Sequence, residues 1–168
     1  MKKSFLFALL FASFFAANAQ RLSKHKKAII ASVEKHEREL IAISDSIWAL
    51  AETAFEEHQS ARILADYAES QGFNVERGVA GIPTAFVATY GSGSPVISVL
   101  GEFDALPGIS QKASPVKEAL NEGAAGHGCG HNLFGAGSLG AALAVKELIE
   151  SGKIKGTVKF LGTPSEEK

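Results

Sequence analysis

The stretch 101–130 carries almost no hydrophobic periodicity and is rich in Gly, Pro and Ser. It is longer than the connections that join elements in compact domains, and loops of that length are usually functional or disordered. What flanks it is regular. Residues 22–50 carry Ile29, Ile30, Val33, Leu40, Ile43, Ile47 and Leu50 at three- and four-residue steps, with Lys, Glu and Arg between them; that spacing predicts an amphipathic helix. A second helix is expected over 60–70, with Ile63, Leu64 and Tyr67 on its apolar face and Gly72 ending it. Short strands are expected at 73–77, 84–90 and 95–100. The turn residues Gly91, Ser92, Gly93 and Ser94 suggest that the last two form a hairpin. After the long loop, 132–150 reads as a helix. Its face of Leu133, Ala136, Gly140, Ala144 and Leu148 is small enough for a sheet to approach closely, and 157–161 reads as a further strand. Strands interleaved with covering helices predict an α/β fold.

The chemistry-bearing residues gather in three segments. They are Gly101-Glu102-Phe103-Asp104-Ala105-Leu106-Pro107-Gly108, Gly126-His127-Gly128-Cys129-Gly130-His131-Asn132, and Gly162-Thr163-Pro164-Ser165-Glu166-Glu167. In the middle segment His, Cys and His alternate with Gly. Glycines let a backbone turn tightly, so ligands close in sequence can converge on one point. Thiolate and imidazole suit zinc and other transition metals. A metal also accounts for a solitary cysteine, which would otherwise be a small buried hydrophobe. The pair Glu166-Glu167 has two readings. Adjacent glutamates are commonly a solvated surface; at the carboxyl end of a strand, where α/β proteins place sites, one would ligate a metal and the other take a proton from water.

Two other chemistries are weaker. Gly135-Ala136-Gly137-Ser138-Leu139-Gly140 matches the spacing of a dinucleotide-binding turn. That turn must follow a strand, whereas these residues lie inside a helical pattern, where small side chains serve packing. A nucleophilic Cys129 activated by His127 or His131 is the second. His131, two residues away, is poorly placed for a Cys–His catalytic pair and well placed for joint ligation.

Taken together, the three segments resemble the metal-dependent amidohydrolases related to aminoacylase and carboxypeptidase G, and within them the aminobenzoyl-glutamate hydrolase branch. The likeness runs from about residue 22 to the end of the chain, and GHGCGHN is its most specific part. The resemblance implies part of a zinc-peptidase-like catalytic domain, a mixed sheet covered by helices, over 20–168. It implies two divalent ions, zinc or manganese; thiolate with imidazole favours zinc. Cys129 would bridge them, His131 and Glu167 would be further metal ligands, Glu166 the catalytic base for the attacking water, and Asp104 an acid supporting the site. Glu102 stands where related carboxypeptidases have a metal-binding His and is not expected to ligate. His127 is left between a supporting contact and a substrate contact. The implied reaction is hydrolysis of an amide joining an acyl or aroyl group to an amino acid. The family's remaining metal-binding histidines, and the inserted domain that makes a homodimer and closes over substrate, would lie beyond Lys168. The chain is therefore expected to be a truncated N-terminal part. The alternatives are a catalytically inactive fragment and, less favoured, a thiol hydrolase using Cys129.

The ends and the charge set the remaining bounds. Lys2 and Lys3, an apolar run from Ser4 to Ala16 and the small-x-small pattern Ala17-Asn18-Ala19 predict a signal peptide over 1–19, with Gln20 as the new N-terminus. The run is too short to span a bilayer, which takes ~20 residues. Export to the periplasm or outside the cell is expected, with no membrane contact after cleavage. Of 168 residues 149 then remain, enough for one core. Losing Lys2 and Lys3 takes the formal charge from -1 to -3, a balance that suggests no nucleic-acid partner. The expected partner is a small amide substrate. One cysteine permits no internal disulfide.

Overall fold

The structure, a computed structural model, describes residues 22–168. The expected signal segment lies outside the described residues. Helix α1 (Lys24–Leu50) opens on Ser23, whose Oγ accepts from the Lys26 N–H at 3.2 Å, a helix N-cap. It stops where Ala51 turns left-handed (φ 43°) and donates its N–H to the Ile47 carbonyl. Helix α2 (His58–Ser70) follows. Its N-cap residue, Glu57, makes no side-chain cap. Glu52 caps it instead, accepting from the Gln59 and Ser60 N–H groups and the Ser60 hydroxyl. Strand β1 (Asn74–Arg77), a short 3-10 turn, β2 (Phe86–Ser92), β3 (Val96–Gly101), helix α3 (His131–Glu150) and β4 (Gly156–Gly162) complete the order.

The four strands form one mixed sheet in the order β1-β2-β4-β3. The pairs β1/β2 and β2/β4 are antiparallel, and β3/β4 is parallel. The expected hairpin between 84–90 and 95–100 therefore does not form. Both strands exist, but β4 enters between them, and the Gly93–Pro95 link spans its end. The Thr157 N–H bonds to the Pro95 carbonyl and the Thr157 hydroxyl to the Gly93 carbonyl. A turn signal fixes where the chain reverses, not which strand fills the adjacent position. β3 ends up at the sheet edge with Val96, Ile97 and Leu100 half exposed.

Helices α2 and α3 cover one face of the sheet, and α1 packs mainly on α3. Phe86, Ala88, Val158 and Phe160 of the sheet meet Leu64, Ala65, Leu139 and Leu143 of the helices. Phe86 sits edge-on to Phe160 (5.5 Å) and stacks on Phe103 (6.2 Å). The helical faces differ in detail from their sequence pattern. On α1, Ile43 and Ile47 are buried, but Ile29, Ile30 and Val33 face outward, because the amino-terminal half of α1 buries Ser32 and His36 instead. On α3, Leu133 is exposed. At Gly140 an added Cβ would lie 2.9 Å from Leu40 of α1, so the small face there admits a helix rather than a sheet. The Gly135–Gly140 spacing lies wholly within α3. No helix among the described residues is long and apolar enough to cross a membrane.

A polar joint ties the three helices together. Buried His36 contacts the Tyr67 hydroxyl through Nδ1 (2.9 Å) and Glu147 through Nε2 (3.1 Å), and Lys35 reaches the same Glu147 oxygen at 2.7 Å. Burial pushes the Glu147 carboxyl up, but the hydrogen bonds from Lys35 and His36 outweigh it and hold it at about 2. A depressed carboxyl adds stability that is full above its unfolded value of 4.5 and lost as pH falls toward 2. Glu147→Gln is thus expected to cost roughly 1–3 kcal/mol at neutral pH and progressively less in acid. Urea denaturation across that range checks it; a difference that does not shrink in acid refutes the assignment.

Candidate metal centre

β3 and β4 run parallel and in register from Val96↔Thr157 to Gly101↔Gly162, so their carboxyl ends coincide. Beyond them the chain continues as Glu102–Asp104 on one side and Thr163–Glu167 on the other. Thr163 ties the two exits together, donating both its N–H (3.0 Å) and its hydroxyl (3.2 Å) to the Gly101 carbonyl. The third segment arrives because the long loop doubles back. Leu106 and Gly126 exchange both backbone hydrogen bonds at 3.0 Å, closing the excursion between them. This return sets His127–His131 beside Glu102–Asp104. Gly130 (φ 86°) then takes a left-handed turn that suits glycine, and His131 begins α3.

Asp104 organises the cluster. It is 1% exposed. Its Oδ1 accepts from His131 Nδ1 at 2.8 Å, and its Oδ2 accepts from the Glu167 N–H at 2.9 Å. The first contact holds the proton on Nδ1 and leaves the Nε2 lone pair pointing into the cluster. Around Nε2 stand Glu102 (3.1 Å), Glu167 (3.8 Å) and Glu166 (3.9 Å). Two sets of ligand atoms each converge within 4.8 Å: Cys129, His131 and Glu167, and Glu102, His131 and Glu166. They share the single free nitrogen of His131, so one cation can draw on it at a time.

The electrostatics are lopsided. Among the described residues, Glu102, Asp104, Glu166 and Glu167 all crowd within 4 Å of His131, and none of them has a lysine or arginine partner. Burial pushes the Glu102 carboxyl up; His131 opposes that shift and the Glu166 carboxylate adds to it. A hydrogen bond to Glu167, with the charges of Glu167, Glu166 and Glu102, pushes the exposed Cys129 thiol up as well. Glu167 Oε1 is buried without a hydrogen-bond partner. A bound divalent cation answers each of these: it neutralises converging carboxylates, takes the orphaned oxygen and holds the thiol as thiolate. The residues present fit such an ion.

The structure thus brings Cys129, His131, Glu166, Glu167 and Asp104 together. Glu102, not expected to ligate, stands nearer to His131 Nε2 than Glu166 or Glu167 does. His127 lies outside the cluster of ligand atoms. Burial lowers its pKa, and its neutral ring donates from Nε2 to the Ile47 carbonyl at 3.0 Å, fastening the glycine-rich loop to α1. Sequence reasoning missed Glu57, which is fully buried and accepts the Ser165 N–H at 2.8 Å. Its only signal was an acidic pair ahead of a helix.

With this geometry in hand, the likenesses to known proteins are direct. Residues 99–168 match Peptidase family M20/M25/M40. The chain is 47% identical over 137 residues to a component of the p-aminobenzoyl-glutamate hydrolase of Escherichia coli (strain K12), covering 81% of this chain and 28% of that protein. A putative aminohydrolase from methicillin-resistant Staphylococcus aureus superposes with a TM-score of 0.69 at 27% identity, over 84% of this chain and 36% of that one. A Bacillus subtilis protein described as a dinuclear metal-binding peptidase of the M20 family superposes with a TM-score of 0.67 at 26% identity, over 80% and 36%. Residues 99–168, which carry all of the cluster, are thus an M20 peptidase domain segment. The chain spans less than a third of the length of the E. coli relative.

Asparagine at 104 would offer one acceptor oxygen where two donors need one each. Asp104→Asn is therefore expected to lower stability by roughly 1–3 kcal/mol and to speed hydrogen exchange at the Glu167 amide. Unchanged denaturation and exchange would show that Asp104 does not organise the cluster.

Proposed function

We propose that this chain supplies one half of the active site of an exported metal-dependent amidohydrolase, acting on the amide between an acyl or aroyl group and an amino acid. The observation that carries it is the convergence of Cys129, His131 and Glu167 beside a buried, unpartnered Glu167 oxygen. The aroyl-amino-acid class is supported by the 47% identity to the aminobenzoyl-glutamate hydrolase component. Two cations are supported by the dinuclear B. subtilis relative; zinc is favoured by the thiolate–imidazole donors and manganese is the second candidate.

Cys129, His131 and Glu167 would hold the first ion, with the Cys129 sulfur open to share a second. Bound divalent cations supply Lewis acidity toward the amide carbonyl and acidify water. This chain's residues do the rest. Asp104 keeps His131 in the tautomer that exposes Nε2. Glu166, with its side chain 54% exposed at the rim of the cluster, would take a proton from the attacking water and return it to the departing amine. The raised Cys129 pKa weighs against a thiol nucleophile, which needs the opposite shift. Homodimerisation of the full-length protein is part of the same proposal.

In the full-length protein, Glu166→Gln is expected to cut turnover of N-acyl or aminobenzoyl amino acids by about 10²–10⁴-fold while metal content stays at the wild-type level. Full activity in that variant rejects Glu166 as the base. Cys129→Ser is expected to lose bound zinc or manganese on elemental analysis; equal metal in both proteins removes Cys129 from the ligand set. Export rests on the 1–19 segment, and N-terminal sequencing of the cell-envelope protein should read from Gln20.

A further inference from the structure

Glu57 is fully buried, yet it carries an ionisable side chain and lies 108 residues before the amide it contacts. Position in the helix does not explain it. As the N-cap of α2 it makes no capping bond, and Glu52 already satisfies the first N–H groups of that helix. Its carboxylate instead crosses to the exit of β4 and accepts from the Ser165 N–H at 2.8 Å. Ser165 is a non-glycine residue held left-handed (φ 65°), as is Phe55 two residues before Glu57 (φ 66°). Such conformations persist only where the surroundings enforce them. The next two residues after Ser165 are Glu166 and Glu167.

We infer that Glu57 is a positioning residue: its carboxylate locks the left-handed turn at Ser165 and so sets the direction in which Glu166 and Glu167 enter the cluster around His131. The inference rests on the metal-centre reading above. Two anchors then hold the β4 exit. Asp104 grips the Glu167 N–H and Glu57 grips the Ser165 N–H, one on each side of Glu166. With both in place the backbone of Glu166 is fixed while its side chain stays free at the rim. Burial raises the Glu57 carboxyl, its own backbone N–H and the nearby Phe55 and Ser165 amides oppose that rise, and the Asp104 charge adds to it. Only one of its oxygens is engaged: Oε1 takes the Ser165 N–H, and Oε2 is buried without a hydrogen-bond partner.

The test separates reach from charge. Glu57→Gln keeps a carbonyl oxygen at full reach, and Glu57→Asp keeps the charge but shortens the arm by one carbon. In the full-length protein, Mn²⁺ and Zn²⁺ affinities would be measured by chelator competition, with hydrogen exchange of the 163–168 amides and thermal melting alongside. The expected result is that Glu57→Gln binds within threefold of wild type, whereas Glu57→Asp stays folded, binds at least tenfold more weakly and exchanges the Ser165 amide at least tenfold faster. A merely structural role would lower the melting temperature of both variants and leave affinity and exchange unchanged. An Asp variant equal to wild type in both readouts, or a Gln variant that loses as much as Asp, overturns the inference. Should the wild-type protein take up neither ion, the metal-centre reading fails by itself, and the Ser165 exchange comparison alone decides whether Glu57 locks the turn.

Discussion

The Asp104 carboxylate is the contact on which the site depends. One oxygen takes the proton-bearing nitrogen of His131 at the start of α3, and the other takes the backbone N–H of Glu167 after β4. The start of α3 and the exit of β4 are thereby both fixed to the exit of β3. A fully buried carboxylate is costly to dehydrate, and here both of its oxygens are matched by donors. Without it the imidazole loses its tautomer and the glutamate pair loses its anchor together.

The sheet makes that contact possible. Because β3 and β4 are parallel neighbours in register, their carboxyl ends finish at the same level, and every chemistry-bearing segment leaves from there or returns there. The long loop is pinned at its neck by Leu106 and Gly126, and the next residue, His127, fastens that neck to the Ile47 carbonyl. The aromatic cluster of Phe86, Phe103 and Phe160 lies directly under the exits and gives them a rigid floor. Charge then follows from placement. Four carboxylates around one imidazole repel one another unless a cation sits among them, and that repulsion adds to the upward push on the thiol and the Glu102 carboxyl.

Much of this is legible in the chain. The elements stand within a few residues of where periodicity puts them, and the three polar segments do converge. The departures have a common form. The turn at Gly91–Ser94 announces a reversal, but β4 supplies the neighbour, so no hairpin forms. The apolar positions Ile29, Ile30 and Val33 satisfy the helical period, yet the neighbours of α1 at that end are Tyr67 and Glu147, which select Ser32 and His36 for burial.

The sequence by itself determined the α/β alternation, the glycine-spaced His-Cys-His loop and the two carboxylate segments, because each depends on local periodicity or on ligand chemistry. Tertiary structure decided the strand order, the second role of Asp104, the closeness of Glu102 to His131 and the part played by Glu57. Those depend on contacts between residues far apart in the chain. Glu57 and Ser165 are separated by 108 positions, and no local pattern records which backbone donor a distant carboxylate will meet.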